Sequence, residues 1–234
     1  FLRRQNESRW FLATRESTSV IEDLSLPHPS MPKGRDLLIR VRAVAVNPRD
    51  LKSRRNISPS AGNPVVMGYD ASGVVEATGP DVTLFRPGDH VFYAGVLDRQ
   101  GANAEFQLVD ERITGIKPAA LSFEAAASVP LTGLTAWEML FDRLQLSVNG
   151  DADQTLLMLG GAGGVPCMAI QLARTLSRVN IIGTASRQES VRAVRGFGAH
   201  YVLDHSCALA PQVASLAGLP PITRIFSTYT TPSA

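Results

Sequence analysis

The sequence predicts two parts in series, a small antiparallel β domain followed by a partial doubly wound parallel α/β sheet. Three observations carry that prediction. Thr155-Leu156-Leu157-Met158-Leu159 is an apolar run that stops at the glycine cluster Gly160-Gly161-Ala162-Gly163-Gly164, after which Met168, Ala169, Leu172, Ala173 and Leu176 recur on one helical stripe. Strand, tight turn and helix in that order open a parallel sheet. Ahead of them, short strand patterns broken by turn residues run on before any convincing long helix, as in a β barrel or sandwich. Near Leu121 the spacing of apolar residues changes from one regime to the other.

Residues 1–19 begin at Phe1 and carry Arg3, Arg4, Arg9 and Arg15 among serines. That mixture vaguely resembles an organelle transit segment, but Glu7 and Glu16 oppose it, and the expectation is a diverged first strand or a ragged end. The β domain is assigned to residues 20–130. Asp36 to Val46 alternates as a half-buried strand through Leu38, Val41, Ala43 and Ala45, and Asn47-Pro48 stops it. Gly68 to Ala77 holds a second strand, Arg86-Pro87-Gly88-Asp89 is a turn, Val91-Phe92-Tyr93 is the strand it feeds, and Ala104 to Val109 is another. Phe123 to Ala127 reads as a short helix. Residues 131–234 then supply the connecting helix and the α/β domain, with Leu134, Trp137, Leu140, Phe141 and Leu144 as an apolar stripe at helical spacing.

Composition narrows the function classes. With 234 residues, 44% hydrophobic and 19% charged, the chain falls among ordinary globular proteins. A net charge of +2 without a basic run interleaved with aromatics argues against a nucleic-acid partner. Cys167 and Cys207 cannot make a four-thiolate zinc site or a disulfide framework, which suits a reducing compartment such as the cytoplasm. No apolar stretch reaches the length of a membrane span.

The glycine cluster has a chemical reading. A diphosphate approaches main-chain N–H groups closely only where no Cβ intervenes, and the helix N-terminus behind adds partial positive charge. Gly161, Ala162, Gly163, Gly164 and Val165 are therefore candidates to cradle a dinucleotide. The next strand, Val179 to Thr184, ends in Ala185-Ser186-Arg187, where an NAD-binding protein places a ribose-gripping Asp or Glu roughly 20 residues on. A carboxylate repels a 2′-phosphate, whereas the Ser186 hydroxyl and Arg187 guanidinium hydrogen-bond it, so NADPH is expected over NADH.

Asn47-Pro48-Arg49-Asp50, Gly68 to Val75, Arg86 to Val91, Pro130 to Ala136, Gly161 to Val165 and Ala185 to Arg187 follow one another in the order seen in medium-chain dehydrogenases/reductases. The chain most resembles the quinone oxidoreductase branch, and within it the zinc-type alcohol dehydrogenase-like proteins, through Phe92 to Gly95 and Asn103 to Arg112. The resemblance implies a GroES-like catalytic domain, a Rossmann domain and NADPH-dependent hydride transfer in the cleft between them. It also implies a small carbonyl or quinone substrate, a Thr132 close to the nicotinamide, and a homodimer for the complete protein.

In zinc-dependent members a Cys stands in place of Asn47 and a His-Glu pair in place of Tyr69-Asp70, and the loop of four cysteines is missing here. Asn and Tyr are poor zinc ligands, so no metal is expected. Without a Lewis acid the substrate carbonyl must be polarised by hydrogen bonds, with hydride going to the β carbon of an enone or quinone-like acceptor. Asn47, Tyr69 and Tyr93 are the candidate catalytic donors; Asp50 and Asp70 are expected to hold loops. Two departures stand out: Pro166 replaces a family glycine beside the phosphates, and Ser190 replaces a frequent lysine. The alternative is a nucleotide-binding protein without turnover, a redox sensor, a scaffold or a truncated pseudoenzyme.

Strands at 155–159, 179–184, 200–203 and 222–227 make four, where the doubly wound dinucleotide fold has six in the order 3-2-1-4-5-6. The expectation is that Ile222 to Ser227 is an exposed edge and that the chain is a piece of a longer protein or a truncated product, with weak NADPH binding and little turnover by itself.

Overall fold

A computed structural model of the chain describes residues 6–11, 21–56 and 64–228. The expectations for residues 1–5, 12–20 and 229–234, and for the 57–63 stretch of the loop, lie outside the described residues. The chain divides into two compact units, Phe1–Leu131 and Thr132–Ala234.

In the first unit, strands β1 (Asn6–Phe11) and β2 (Ile21–Leu26) pair antiparallel as a separate ribbon. A five-stranded antiparallel sheet follows, built from β3 (Asp36–Ala45), β4 (Asp70–Thr78), β5 (His90–Ala94), β6 (Phe106–Asp110) and β7 (Thr114–Ile116), in the order β6-β3-β4-β5-β7. Leu37, Ile39, Ala71, Val75, Val91, Tyr93, Ala102 and Val109 pack on one another as its core. Alternation along β3 and β5 aims these side chains inward. The turn read from Arg86 to Asp89 forms, with Gly88 in the left-handed region at φ +96° and its N–H given to Val75 O at 2.8 Å.

A helix after the first long strand was not legible. α1 (Pro48–Asn56) stands where the sequence suggested a stop after Asn47-Pro48. It carries no apolar stripe, so periodicity could not reveal it. Its signals are electrostatic and steric instead. Pro48 occupies the first helical position, where a missing N–H costs nothing. Asp50 sits in the first turn and Arg54 and Arg55 in the last, each opposite to the dipole charge at its end.

The second unit begins within α3 (Pro130–Trp137), which follows the short α2 (Phe123–Ala127) capped by Ser122. A π-helical turn, Glu138–Arg143, continues α3 and is closed by Leu144 N–H to Met139 O at 2.8 Å. This corrects the single stripe expected from Leu134 to Leu144. Leu140 is fully buried, but Leu134 and Trp137 are 61% and 48% exposed. The wider π turn rotates the residues before it off the face that the later ones bury.

The parallel sheet comprises β8 (Thr155–Met158), β9 (Asn180–Thr184), β10 (Tyr201–Leu203) and β11 (Ile222–Phe226), in the order β10-β9-β8-β11. That is the 3-2-1-4 portion, four of the six strands, of the doubly wound order. Helices α4 (Gly164–Leu176), α5 (Gln188–Gly196) and α6 (Leu209–Ala214) connect the strands. Leu156, Met158 and Ile181 pack with Ala169, Ile170, Ala173 and Val194, whereas Leu157, Ile182 and Leu203 form a second cluster with Leu209 and Val213. Neighbouring residues on one strand thus bury opposite faces, as a sheet covered on both sides requires. Among the described residues β11 pairs only with β8, which makes it the expected edge.

Candidate functional site

Two groups of side chains form, one in each unit. The first is built where β3 hands over to α1 and where β4 begins. Asp50, in the third position of α1, accepts the Asn47 backbone N–H at 2.7 Å, and its own N–H bonds Asn47 O at 2.9 Å. This reciprocal cap fixes the helix start. It also frees the Asn47 side chain from capping, and its Nδ2 donates to Asp70 Oδ2 at 2.8 Å. The other oxygen of Asp70 accepts the Leu131 N–H at 2.7 Å.

Asp70 is completely buried. Burial pushes its carboxyl from an ordinary 3.8 up to about 6, against the two hydrogen bonds that favour the charged form, and the charge of Asp50 adds to the rise. Burial also raises Asp50, whose Oδ1 is buried without a hydrogen-bond partner. Tyr69 is buried beside these groups in sequence, and its hydroxyl meets Ser53 Oγ of α1 at 2.7 Å. The Arg49 guanidinium lies 5.9 Å over the Tyr69 ring. The Gly68 that precedes Tyr69 is at φ +102°, and a Cβ there would stand 2.5 Å from the Asn103 side chain, so this bend requires glycine.

Tyr93 does not join this group. It lies in the core of the five-stranded sheet, 1% exposed, and its hydroxyl donates to Gln107 Oε1 at 2.8 Å. Burial raises its phenol well above the usual range. Its ring faces inward because the alternation of β5 that buries Val91 also buries Tyr93.

The second group surrounds the turn after β8. Gly160 takes the left-handed conformation at φ +65°, its N–H bonds Thr184 Oγ1 at 2.9 Å, and the Gly161 N–H bonds Thr184 O at 2.9 Å. The end of β9 therefore holds the turn in place. Gly163 caps α4 with no side-chain hydrogen bond, and the amides of the first helical turn have no intrahelical acceptor. A Cβ on Gly161 would approach Val194 to 3.0 Å, and one on Gly164 would approach the Thr132 methyl to 3.3 Å. Thr132 thus lies against the turn. Ala162, Gly163 and Gly164 are exposed, Val165 is half-buried, and Pro166 is buried inside the first turn of α4. Ser186 and Arg187 are exposed just past the carboxyl end of β9, with Arg187 at the N-cap of α5.

Ser53, Thr184 and His205 escaped the sequence reading. His205 follows β10, and its Nδ1 lies 3.1 Å from Thr184 Oγ1. The only signal for it was a position just beyond a strand's carboxyl end, which is where ligands of such sheets bind. Among the described residues no three His, Cys, Asp or Glu side chains converge as a metal site, and no helix is long and apolar enough to cross a membrane.

An antiparallel β unit followed by a parallel sheet with a glycine-rich first turn defines a fold class, and comparison with known proteins names it. Residues 33–134 match the alcohol dehydrogenase GroES-like domain. A zinc-type alcohol dehydrogenase-like protein of Staphylococcus aureus (strain COL) is 44% identical over 202 residues, which are 86% of this chain and 59% of that protein. A quinone oxidoreductase of Pseudomonas aeruginosa is 37% identical over 179 residues, 76% of this chain and 53% of that protein. Among solved structures, a Rhizobium etli CFN 42 protein, described provisionally as a zinc-dependent alcohol dehydrogenase, matches with a TM-score of 0.88 at 48% identity, over 97% of this chain and 66% of that one. The chain belongs to the medium-chain dehydrogenase/reductase superfamily, as its motifs led one to expect. It spans about 59% of the length of the Staphylococcus aureus relative.

Proposed function

We propose that the chain is part of an NADPH-dependent oxidoreductase that delivers hydride to a quinone, an enone or a related carbonyl acceptor without zinc. The observation that carries the cofactor assignment is Ser186-Arg187 just past the end of β9, the strand next to the glycine turn of β8, with no carboxylate at either position. An arginine at a helix N-cap opposes the helix dipole, which suits a position that receives a phosphate. Gly161 to Val165 would hold the diphosphate through main-chain amides, Ser186 and Arg187 the 2′-phosphate, and Thr132 the nicotinamide end. Gly163 and Gly164 are solvent-exposed and carry no Cβ over their amides, which fits that role. NADPH supplies the hydride when bound.

The chain's own residues supply polarisation. As electrons move onto the substrate oxygen, donors fixed in advance stabilise the new charge at little reorganisation cost. Asn47 Nδ2 has two hydrogens, one of them given to Asp70, and the other is the donor proposed for the substrate oxygen. The Tyr69 hydroxyl, held by Ser53, is the second donor and the proton source for the reduced oxygen. Tyr93 is left out, because its one hydroxyl hydrogen is already given to Gln107 inside the sheet core, whereas the Tyr69 hydroxyl can accept from Ser53 and keep its own. Metal independence rests on the same pairing, since Asn47 and Tyr69 are committed to hydrogen bonds and are weak zinc ligands beside Cys and His.

Nucleotide binding without turnover is the alternative, favoured by Pro166, whose ring adds bulk in the first turn of α4. A titration with NADPH and NADH, followed by a turnover assay with quinones and enones on a form of the length of the relatives, separates the two. Equal affinity for both cofactors would remove the NADPH assignment. Tight NADPH binding without turnover would favour the alternative.

A further inference from the structure

We propose that Asp70 is the positioning residue of this site: one buried carboxylate holds the Asn47 amide by its first oxygen and the opening amide of α3 by its second. The inference rests on the reading of Asn47 as the substrate-facing donor. The two partners come from different elements, Asn47 from the end of β3 and Leu131 from the first turn of α3, at 2.8 and 2.7 Å from the same group. Asp70 itself is the first residue of β4 and has no exposed surface.

This arrangement does more than fill space. A carboxylate only accepts hydrogen bonds, so the amide of Asn47 has one permitted orientation, with Nδ2 inward and Oδ1 turned away. A free asparagine side chain would interconvert between two orientations that present opposite hydrogen-bonding character to a ligand. Asp70 thereby selects which atoms Asn47 offers. Because burial leaves Asp70 no water, losing either donor would leave a charged oxygen unpaired. The Asn47 side chain and the start of α3 are consequently linked through one group. Asp50 faces the pair from α1 and bonds only main-chain groups, the Asn47 N–H and O and its own N–H, so it anchors the loop without orienting the Asn47 side-chain amide.

The charge complement can be exchanged. With Asn47→Asp and Asp70→Asn made together, the amide at position 70 can accept the Leu131 N–H and donate to the carboxylate at position 47, preserving both bonds. The side chain at position 47 then offers acceptors only.

The test begins with the unmodified, isotopically labelled chain. Through-hydrogen-bond correlations in NMR should join Asn47 Nδ2 and Leu131 N to the same Asp70 carboxyl carbon. Finding neither correlation, or only one of them, overturns the proposal without any need for a variant to fold. In thermal unfolding, Asn47→Asp and Asp70→Asn should each lower the midpoint, and the double exchange should recover at least half of the summed loss and return the Leu131 amide signal to its original place. A double variant no better than the worse single one also overturns it. In a form of the chain extended to the relatives' length, the exchange should cost at least tenfold in turnover despite the recovered stability, while Asp50→Asn leaves the Leu131 signal unmoved. Absent turnover in that unmodified form, with both correlations intact, would defeat the reaction proposed above and leave the placement of Asp70 standing.

Discussion

At the scale of single residues, charge and burial decide the outcome. Arg187 is exposed and has no acidic neighbour at position 186, so in the proposed reading its contribution to cofactor choice is a hydrogen bond to a charged group. Arg187→Ala should reduce the preference for NADPH over NADH by about 1.5–3 kcal/mol, checked by titration of both cofactors. Asp70 makes a prediction of the opposite kind, about the fold and not the ligand. Its folded pKa is about 6, above the ordinary 3.8, so between these values the folded chain holds a proton that the unfolded chain releases. The stability this contributes is complete below pH 3.8 and is lost as pH rises through about 6. The stability of Asp70→Asn relative to the parent should therefore improve on going from about pH 5 to about pH 7. Unfolding midpoints measured across that range would contradict the assignment if the difference stayed flat or reversed.

At the scale of elements, β11 is held from outside its own ladder. Arg224 donates through Nε to Leu144 O at 2.6 Å and through Nη2 to Gln145 O at 3.1 Å, with Gln154 Oε1 bonded to Nη1 and Asp151 Oδ1 at 3.4 Å. These partners lie on the loop where Gln145, Asn149 and Asp151 all take positive φ, a conformation that L side chains rarely adopt. Arg224 thus clamps a strained loop to the edge strand. Arg224→Met should destabilise the chain by on the order of 2–3 kcal/mol, because it leaves the Leu144 and Gln145 carbonyls without their donor and takes from Asp151 its paired cation, while Ser147 N–H and Gln154 Nε2 still bond that carboxylate. Urea unfolding reads that loss directly, and a change below about 0.5 kcal/mol, the range of ordinary surface substitutions, would mean the clamp is decorative.

At the scale of the molecule, the proposed cofactor binds residues of one unit, so it should stabilise by mass action. At a concentration a hundred times its Kd, a ligand bound only by the folded state adds about 2.7 kcal/mol. Thermal unfolding should shift upward with NADPH, and less with NADH at the same concentration; identical shifts would argue against recognition of the 2′-phosphate. Chelators should leave the midpoint unchanged and elemental analysis should find no stoichiometric zinc, since Asn47 and Tyr69 are engaged with Asp70 and Ser53. A tightly held zinc in the purified chain would overturn the metal-free mechanism.

What the sequence determined by itself was everything written in local periodicity and turn chemistry. Thr155 to Leu176 specified strand, turn and helix, the strands at 180–184, 201–203 and 222–226 fell close to their expected places, and the short β strands with their Gly88 turn followed from alternation and glycine. Helix α1 was invisible because it packs no apolar stripe, and the π turn because one extra residue per turn leaves no mark on composition. Only the tertiary structure decided what the polar side chains do. Asn47 and Asp70 are 23 positions apart and Asp70 and Leu131 are 61 apart, so their pairing depends on how β3, β4 and α3 pack. Tyr69 and Tyr93 were equivalent as residue types, yet one hydroxyl meets Ser53 on a helix and the other is sealed in the sheet with Gln107. A hydrophobic pattern reports which face of an element is buried; it carries no information about which distant donor or acceptor that burial brings within 3 Å.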